Sequence, residues 1–264
     1  MKIVIQHSPS DAGRVAARQI ASTLRLQQNG IIGLATGSSP QPLYEALAAL
    51  VRAGEVSFAS TRGFALDEYV GIDPDHPESY HSIIARDAIA PLGMDPRLVR
   101  VPSGSGSVEE VDEAAVEYEA AIREAGGVDV QILGIGANGH IGFNEPGSAA
   151  DSVTRRVDLA PETIAANSRF FPSVADVPTQ AVSQGLGTIL SARAIVLVAN
   201  GSEKAQAVRD ALEGPIEASC PASFLREHDD VTFCLDEQAA ALLSAETRAR
   251  SVTTALDDST ALSH

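Results

Sequence analysis

Lysine is nearly missing from this 264-residue chain: Lys2 and Lys204 stand against seventeen arginines. One internal lysine in an arginine-using chain fits chance or codon bias, and it also fits a site that needs a compact ammonium rather than a planar fork. Cysteine is equally sparse. Cys220 and Cys234 cannot build a disulfide framework, and neither stands in a metal-binding spacing, so the cytoplasm is the expected compartment. No run of eighteen apolar residues occurs, and no membrane span or membrane partner is expected. The opening Met1–Ile5 stretch is too short for a signal peptide and reads as a first strand. Positive charge is scarce overall. A net charge of −16 argues against a nucleic-acid partner, whose backbone demands a basic face. It also makes an anionic ligand informative, because such a chain must gather its few cations where that ligand sits.

What is present is a core-forming composition, 44% hydrophobic and 20% charged, long enough for one large domain. Short β-branched runs read as buried strands at Lys2–Ile5, Ile31–Leu34, Gly63–Leu66, Val128–Leu133, Ile195–Ala199 and Val231–Leu235. Helical patterns lie between them. Ser10–Leu26 spaces Val15, Ala16, Ile20 and Leu24 along one face, with Ser10 or Asp11 as N-cap. Pro40–Ala53, Glu109–Ala125 and Glu203–Leu212 follow the same logic. Alternation of this kind predicts an α/β fold, a doubly wound and mostly parallel sheet flanked by helices, with ligands bound beyond the carboxyl ends of the strands. Residues 1–243 are expected to form one domain. Within it, Gly147–Gln184 lacks strong periodicity and reads as a solvated loop or as a lid, the lid spanning about 155–184. Residues 244–264 form a polar, weakly patterned tail with a frayed end.

Three loops after strands carry chemistry. In Ala35–Pro40, Gly37 allows close backbone approach and the hydroxyls of Thr36, Ser38 and Ser39 can donate to oxygens at a helix start, which suits a phosphate. The same residues equally fit plain N-capping by Ser38 or Ser39 ahead of Pro40. It is neither a Walker loop nor a dinucleotide fingerprint. In Leu66–Gly71, the adjacent carboxylates Asp67 and Glu68 suit acid–base work if burial raises a carboxyl pKa, or a capping pair in a turn. In Gly134–Pro146, three glycines in six residues hold His140 in a tight turn, with Glu145 able to orient its ring and Asn138 and Asn144 offering neutral hydrogen bonds. Two cations are candidates for a phosphate, Arg169 in the lid segment and Lys204 at a helix start after a strand, though each also fits a plain reading as a solvated surface arginine and an ordinary helix lysine.

Leu66–Gly71 with His76–Tyr80, Gly134–Pro146, Asn167–Phe171 and Gly201–Ala205, supported by Gly185–Thr188 and Pro221–Ser223, together resemble the glucosamine-6-phosphate deaminase family. The run Gly-His-Ile-Gly-Phe-Asn-Glu-Pro at residues 139–146 separates it from the 6-phosphogluconolactonases of related fold. The resemblance implies a modified Rossmann-like sheet and conversion of D-glucosamine 6-phosphate to D-fructose 6-phosphate and ammonia, with neither metal nor organic cofactor. It implies Asp67 as the base that moves a proton from C2 to C1, and His140 with Glu145 and Asn138 as the ring-opening group. It implies Thr36, Gly37, Ser38, Ser39, Arg169 and Lys204 as the phosphate clamp. Of the family's pattern for activation by N-acetylglucosamine 6-phosphate, Ser148 and Arg155 match while Ala149 and Val157 do not, so activation is expected to be weak or absent. Subunit number stays open, a homo-oligomer included, and so does the choice between gluco and galacto epimers. The rivals are a 6-phosphogluconolactonase-type hydrolase, which leaves Asp67-Glu68-Tyr69 unexplained, and a non-catalytic sugar-phosphate sensor, which would carry a helix-turn-helix.

Overall fold

The computed structural model describes residues 1–25 and 29–252. In chain order the elements are β1 (Lys2–Gln6), α1 (Pro9–Arg25), β2 (Ile31–Leu34), α2 (Gln41–Arg52), β3 (Arg62–Ala65), β4 (Asp67–Tyr69), α3 (Tyr80–Ile84), α4 (Ala90–Leu92), β5 (Val99–Arg100) and α5 (Val108–Glu124). They continue with β6 (Val130–Leu133), β7 (Arg155–Asp158), α6 (Pro161–Asn167), β8 (Gln180–Ser183), α7 (Leu186–Leu190), β9 (Ala194–Ala199), α8 (Ala205–Glu213), β10 (Val231–Asp236) and α9 (Ala245–Arg250).

Strands β2, β6, β9 and β10 are buried along their whole length. They must therefore be covered on both faces, and continuous apolar runs with parallel neighbours and helical crossovers achieve this. Seven strands form one parallel sheet in the order β1-β10-β9-β6-β2-β3-β5. After β2 the chain builds outward through β3 and β5, then returns to β6 on the other side of β2 and builds the opposite way through β9 and β10. The order therefore reverses between β2 and β6, where a crevice opens beyond the carboxyl ends. The loops after β2, β6 and β9 all reach this edge. The predicted α/β architecture is the observed one.

Several local expectations change. Helix α1 begins at Pro9, and Ser8 rather than Ser10 or Asp11 serves its start, accepting the Asp11 N–H at 3.2 Å and donating to its carboxylate at 2.6 Å. The expected last residue of that helix, Leu26, lies outside the described residues. Helix α5 opens with a capping box, Ser107 and Glu110 each accepting the other's backbone N–H at 3.3 and 2.7 Å. The aperiodic segment 147–184 is not one loop. It contributes β7 and β8 to a second, antiparallel sheet of order β4-β8-β7, with α6 between them. Asp67 opens β4 of that sheet instead of lying in a turn, and pairs with Ser183. The expected tail begins folded: Arg248 donates to the Ala240 carbonyl at 2.9 Å, and the Val252 N–H reaches the Ile3 carbonyl of β1 at 2.9 Å. Residues 253–264 of that tail lie outside the described residues.

Candidate active site

Alternation along β4 separates the two carboxylates. Glu68 turns to the start of α3, where Oε1 accepts the N–H groups of Tyr69 and Tyr80 and Oε2 that of His81, each at 2.9 Å. Burial raises its pKa, against the lowering effect of those three amides. Glu68 is thus the capping member of the pair. Asp67 is as deeply buried, 5% exposed, yet its carboxylate has no hydrogen bond among the described residues. Burial first, and the neighbouring Glu68 charge second, push its pKa well above the ordinary value. A buried carboxyl without internal partners, displaced towards neutrality, has the character of a general base awaiting a substrate proton.

The histidine loop meets Asp67 directly. A β-carbon added to Gly142 would stand 3.4 Å from Asp67 Oδ2. Within the loop the His140 ring lies flat against Gly136: a β-carbon there would fall 2.2–2.5 Å from Cε1, Nδ1 and Nε2, so only glycine fits. His140 Nδ1 is 3.3 Å from Glu145 Oε2, which also accepts Asn138 Nδ2 at 2.8 Å, while Asn138 Oδ1 accepts the His140 N–H at 3.2 Å. Burial works to raise the Glu145 pKa, but bonding and charge from His140, with bonds from Thr163 and Asn138, hold it at about 2. Asn144 is a structural pin instead. Fully buried, it donates to the carbonyls of Ile141 at 2.9 Å and Gln184 at 2.8 Å and accepts from Arg155 at 2.9 Å.

The anion-binding candidates Thr36–Ser39 and Lys204 lie on neighbouring loops of the same sheet edge. Pro40 occupies the N-cap of α2 with no side-chain cap, so neither Ser38 nor Ser39 is used there and the capping alternative fails. Gly37 adopts φ +100° and, like Ser38, is exposed. The Thr36 side chain meets the Tyr80 hydroxyl, itself within the field of Asp67. Ser39 accepts Asn200 Nδ2 at 3.1 Å through its carbonyl, which ties this loop to the one after β9. That second loop carries Lys204, whose pKa is lowered by burial first and also by the nearby Arg169 guanidinium, against the neighbouring Glu203 carboxylate, which raises it. Two cations that repel each other, on separate loops, mark a place where an anion would be stabilised. Arg169 is otherwise exposed, stacked 4.6 Å over Phe170.

Residues that the sequence reading missed join these parts. Tyr69 packs with Tyr80, Phe143 and Phe171 and accepts Asn167 Nδ2 at 2.9 Å, fastening the segment after β7 to the strand of Asp67. Thr163, buried on α6, stands 3.5 Å from His140 Nδ1. Asp236 accepts the Gly201 N–H at 3.1 Å and the Ala239 N–H at 2.7 Å, bracing the Lys204 turn. Tyr69 and Asn167 lay inside motifs already quoted; Thr163 and Asp236 had no sequence signal, since their partners are distant in the chain. A cavity of about 220 Å³ behind the histidine loop, with Asn138, Asp210, Glu217 and Cys220 in its wall, has no cation in its lining and suits no phosphate ester.

Comparison with known proteins identifies the family and the fold. The family model described as glucosamine-6-phosphate isomerases/6-phosphogluconolactonase matches residues 7–234. A protein of Rhodopirellula baltica named glucosamine-6-phosphate deaminase is 49% identical over 243 residues, covering 92% of this chain and 95% of the relative. One of the same name from Pseudarthrobacter chlorophenolicus is 48% identical, with 92% and 93% covered. The structure of a monomeric glucosamine-6-phosphate deaminase superposes with TM-score 0.88 at 39% identity, covering 92% of this chain and all of that one. The 6-phosphogluconolactonase from Trypanosoma cruzi, at 24% identity and TM-score 0.71 over 92% and 97%, shares the fold. The chain therefore belongs to the glucosamine-6-phosphate isomerase/6-phosphogluconolactonase family.

Proposed function

We propose that the chain is a glucosamine-6-phosphate deaminase, converting D-glucosamine 6-phosphate and water to D-fructose 6-phosphate and ammonia. One observation carries the reading: a buried carboxylate with no hydrogen bond among the described residues, Asp67, abuts the loop of an imidazole–carboxylate pair, while two cations, Lys204 and Arg169, lie within each other's field. A lactonase needs a hydrolytic site but no second proton shuttle, so it leaves Asp67 without a task.

The closed sugar has no acidic C2 proton, so the ring must open first. Nδ1 of His140 faces Glu145, which leaves Nε2 to take the O1 proton and return it to O5. In the aldehyde form, Asp67 removes the C2 proton while the substrate's C2 ammonium passes a proton to the carbonyl oxygen, giving an enolamine. It then returns the proton to C1 and forms the ketose imine. Water adds at C2, the C–N bond breaks and ammonia leaves. Thr36–Ser39, Arg169 and Lys204 hold the ester oxygens, and that binding fixes C1 and C2 against Asp67.

Two free, buried thiols fit a reducing cytoplasm. No helix among the described residues is long and apolar enough to cross a membrane. The acidic surface fits neither nucleic acid nor anionic lipid. Arg155 already holds Asn144 and reaches Ser148 only at 3.4 Å, which supports weak or absent activation by N-acetylglucosamine 6-phosphate. The deciding assay follows ammonia from glucosamine 6-phosphate and galactosamine 6-phosphate, beside hydrolysis of 6-phosphogluconolactone. Lactone hydrolysis without ammonia from either amino sugar would overturn the assignment.

A further inference from the structure

Helix α6 lies across the histidine loop and touches it at two points. The Ala160 N–H, just before the helix, reaches Glu145 Oε1 at 3.3 Å. One turn on, the buried Thr163 places Oγ1 3.5 Å from His140 Nδ1 and also hydrogen-bonds Glu145. A hydroxyl has one proton. When Thr163 donates it to the Glu145 carboxylate, only lone pairs are left to face the ring. Nδ1 then looks at two acceptors, the carboxylate at 3.3 Å and the hydroxyl oxygen at 3.5 Å. Both demand that Nδ1 carry the proton. Nε2, which no described residue engages, is left with its lone pair. Neither contact is short, so a single one would leave the ring loosely held; two from different elements fix its plane as well as its tautomer.

We propose that Thr163 is a positioning residue for ring opening, its hydroxyl holding His140 with the proton on Nδ1 and the lone pair of Nε2 turned to the sugar. This rests on the proposed deaminase reading. It adds a coupling, because α6 leads directly into Arg169. The segment that supplies a phosphate cation also supplies the hydroxyl against the imidazole, six residues earlier.

The position permits a clean separation of roles. If Thr163 merely supported the fold of α6, its loss would displace Arg169 and raise KM for the phosphorylated substrate. If it acts on His140, its loss lowers kcat and leaves KM alone. The experiment compares wild type with Thr163→Val, Thr163→Ala and Thr163→Ser in the ammonia-release assay. In parallel, the ring ¹⁵N shifts of His140 are recorded without substrate, assigned against His140→Gln. The expected result is a kcat about tenfold lower in the Val and Ala variants. KM stays within about twofold, and the Ser variant, one oxygen richer than Ala, recovers most of the loss. The wild-type ring shows the Nδ1–H tautomer and the Ala variant a mixture. Wild-type kcat in the Val and Ala variants overturns the proposal, as does a parallel rise in KM, a Ser variant no better than Ala, or an unchanged ring spectrum. Wild-type protein that releases no ammonia refutes the deaminase reading instead, while the spectra still report on Thr163.

Discussion

Replacing Asp67 by asparagine should remove activity and strengthen the fold together. The native carboxylate is 5% exposed and unbonded among the described residues, and it lies beside the charge of Glu68. Asparagine keeps the shape and removes the charge. Relieving an active site of this kind is worth about 1–2 kcal/mol, or ~2–8 °C in a domain of this size. The pH dependence gives the test its force. Burial raises the folded pKa above the ordinary value of 3.8. Between these two values the unfolded chain has released the proton that the folded chain retains, so wild-type stability falls as pH rises through that window. The variant has no such proton. Its advantage should be small near pH 4, grow with pH, and level off above the folded pKa. Melting curves of both proteins from pH 4 to 9 measure this directly, and turnover should fall about 10²- to 10⁴-fold. A variant that keeps more than a tenth of wild-type ammonia release refutes Asp67 as the base. One that melts lower at pH 8, or gains equally at every pH, refutes the account of its environment.

Lys204→Ala and Arg169→Ala should each raise KM about 10- to 100-fold with little change in kcat, and weaken competitive inhibition by inorganic phosphate in proportion. Unchanged KM in both would remove the clamp. Glu68→Gln presents one acceptor and two N–H groups to three amide donors, so the melting temperature should drop by an amount worth about 2–3 kcal/mol. A neutral effect would mean that Glu68 does not cap α3. Gly136→Ala forces the His140 ring off its seat, where the new β-carbon would lie 2.2 Å from Cε1. Its kcat should fall at least ~100-fold with the melting temperature nearly kept, and near-native turnover would show that the ring position is immaterial.

The sheet was legible because buried parallel strands announce themselves as short apolar runs. Ile31–Leu34 and Val128–Leu133 needed little correction, and their carboxyl ends pointed to the loops of Thr36 and His140. The second sheet was not legible. Its strands are three or four residues long, and β7 reads Arg-Arg-Val-Asp, with charged side chains at three of four positions. Strands of that length gain their stability from partners far along the chain, so no local periodicity records them. Site residues divide on the same line. Glycines around a histidine are a local signal, whereas Thr163 is defined by a ring 23 residues away and Asp236 by an amide 35 residues away.

That division explains why two adjacent carboxylates, indistinguishable in sequence, take different tasks. The sequence places Asp67 and Glu68 at the end of the β3 strand, where both could cap and both could catalyse. Continuing the chain into a second strand resolves the choice, since strand alternation must send neighbouring side chains to opposite faces. One face meets the amide-rich start of α3, and there a carboxylate is fully satisfied. The other meets the glycine-bearing side of the histidine loop, where the small residue at 142 leaves space beside Asp67 Oδ2 and no described residue donates to it. The longer glutamate reaches the amides; the shorter aspartate stays in the crevice. Exchanging the two, as Asp67→Glu with Glu68→Asp, would keep composition and charge while shortening the cap and crowding the crevice. The double variant should lose both turnover and stability, measured by ammonia release and thermal melting. Retention of either would show that strand alternation, rather than side-chain length, is sufficient to set that role.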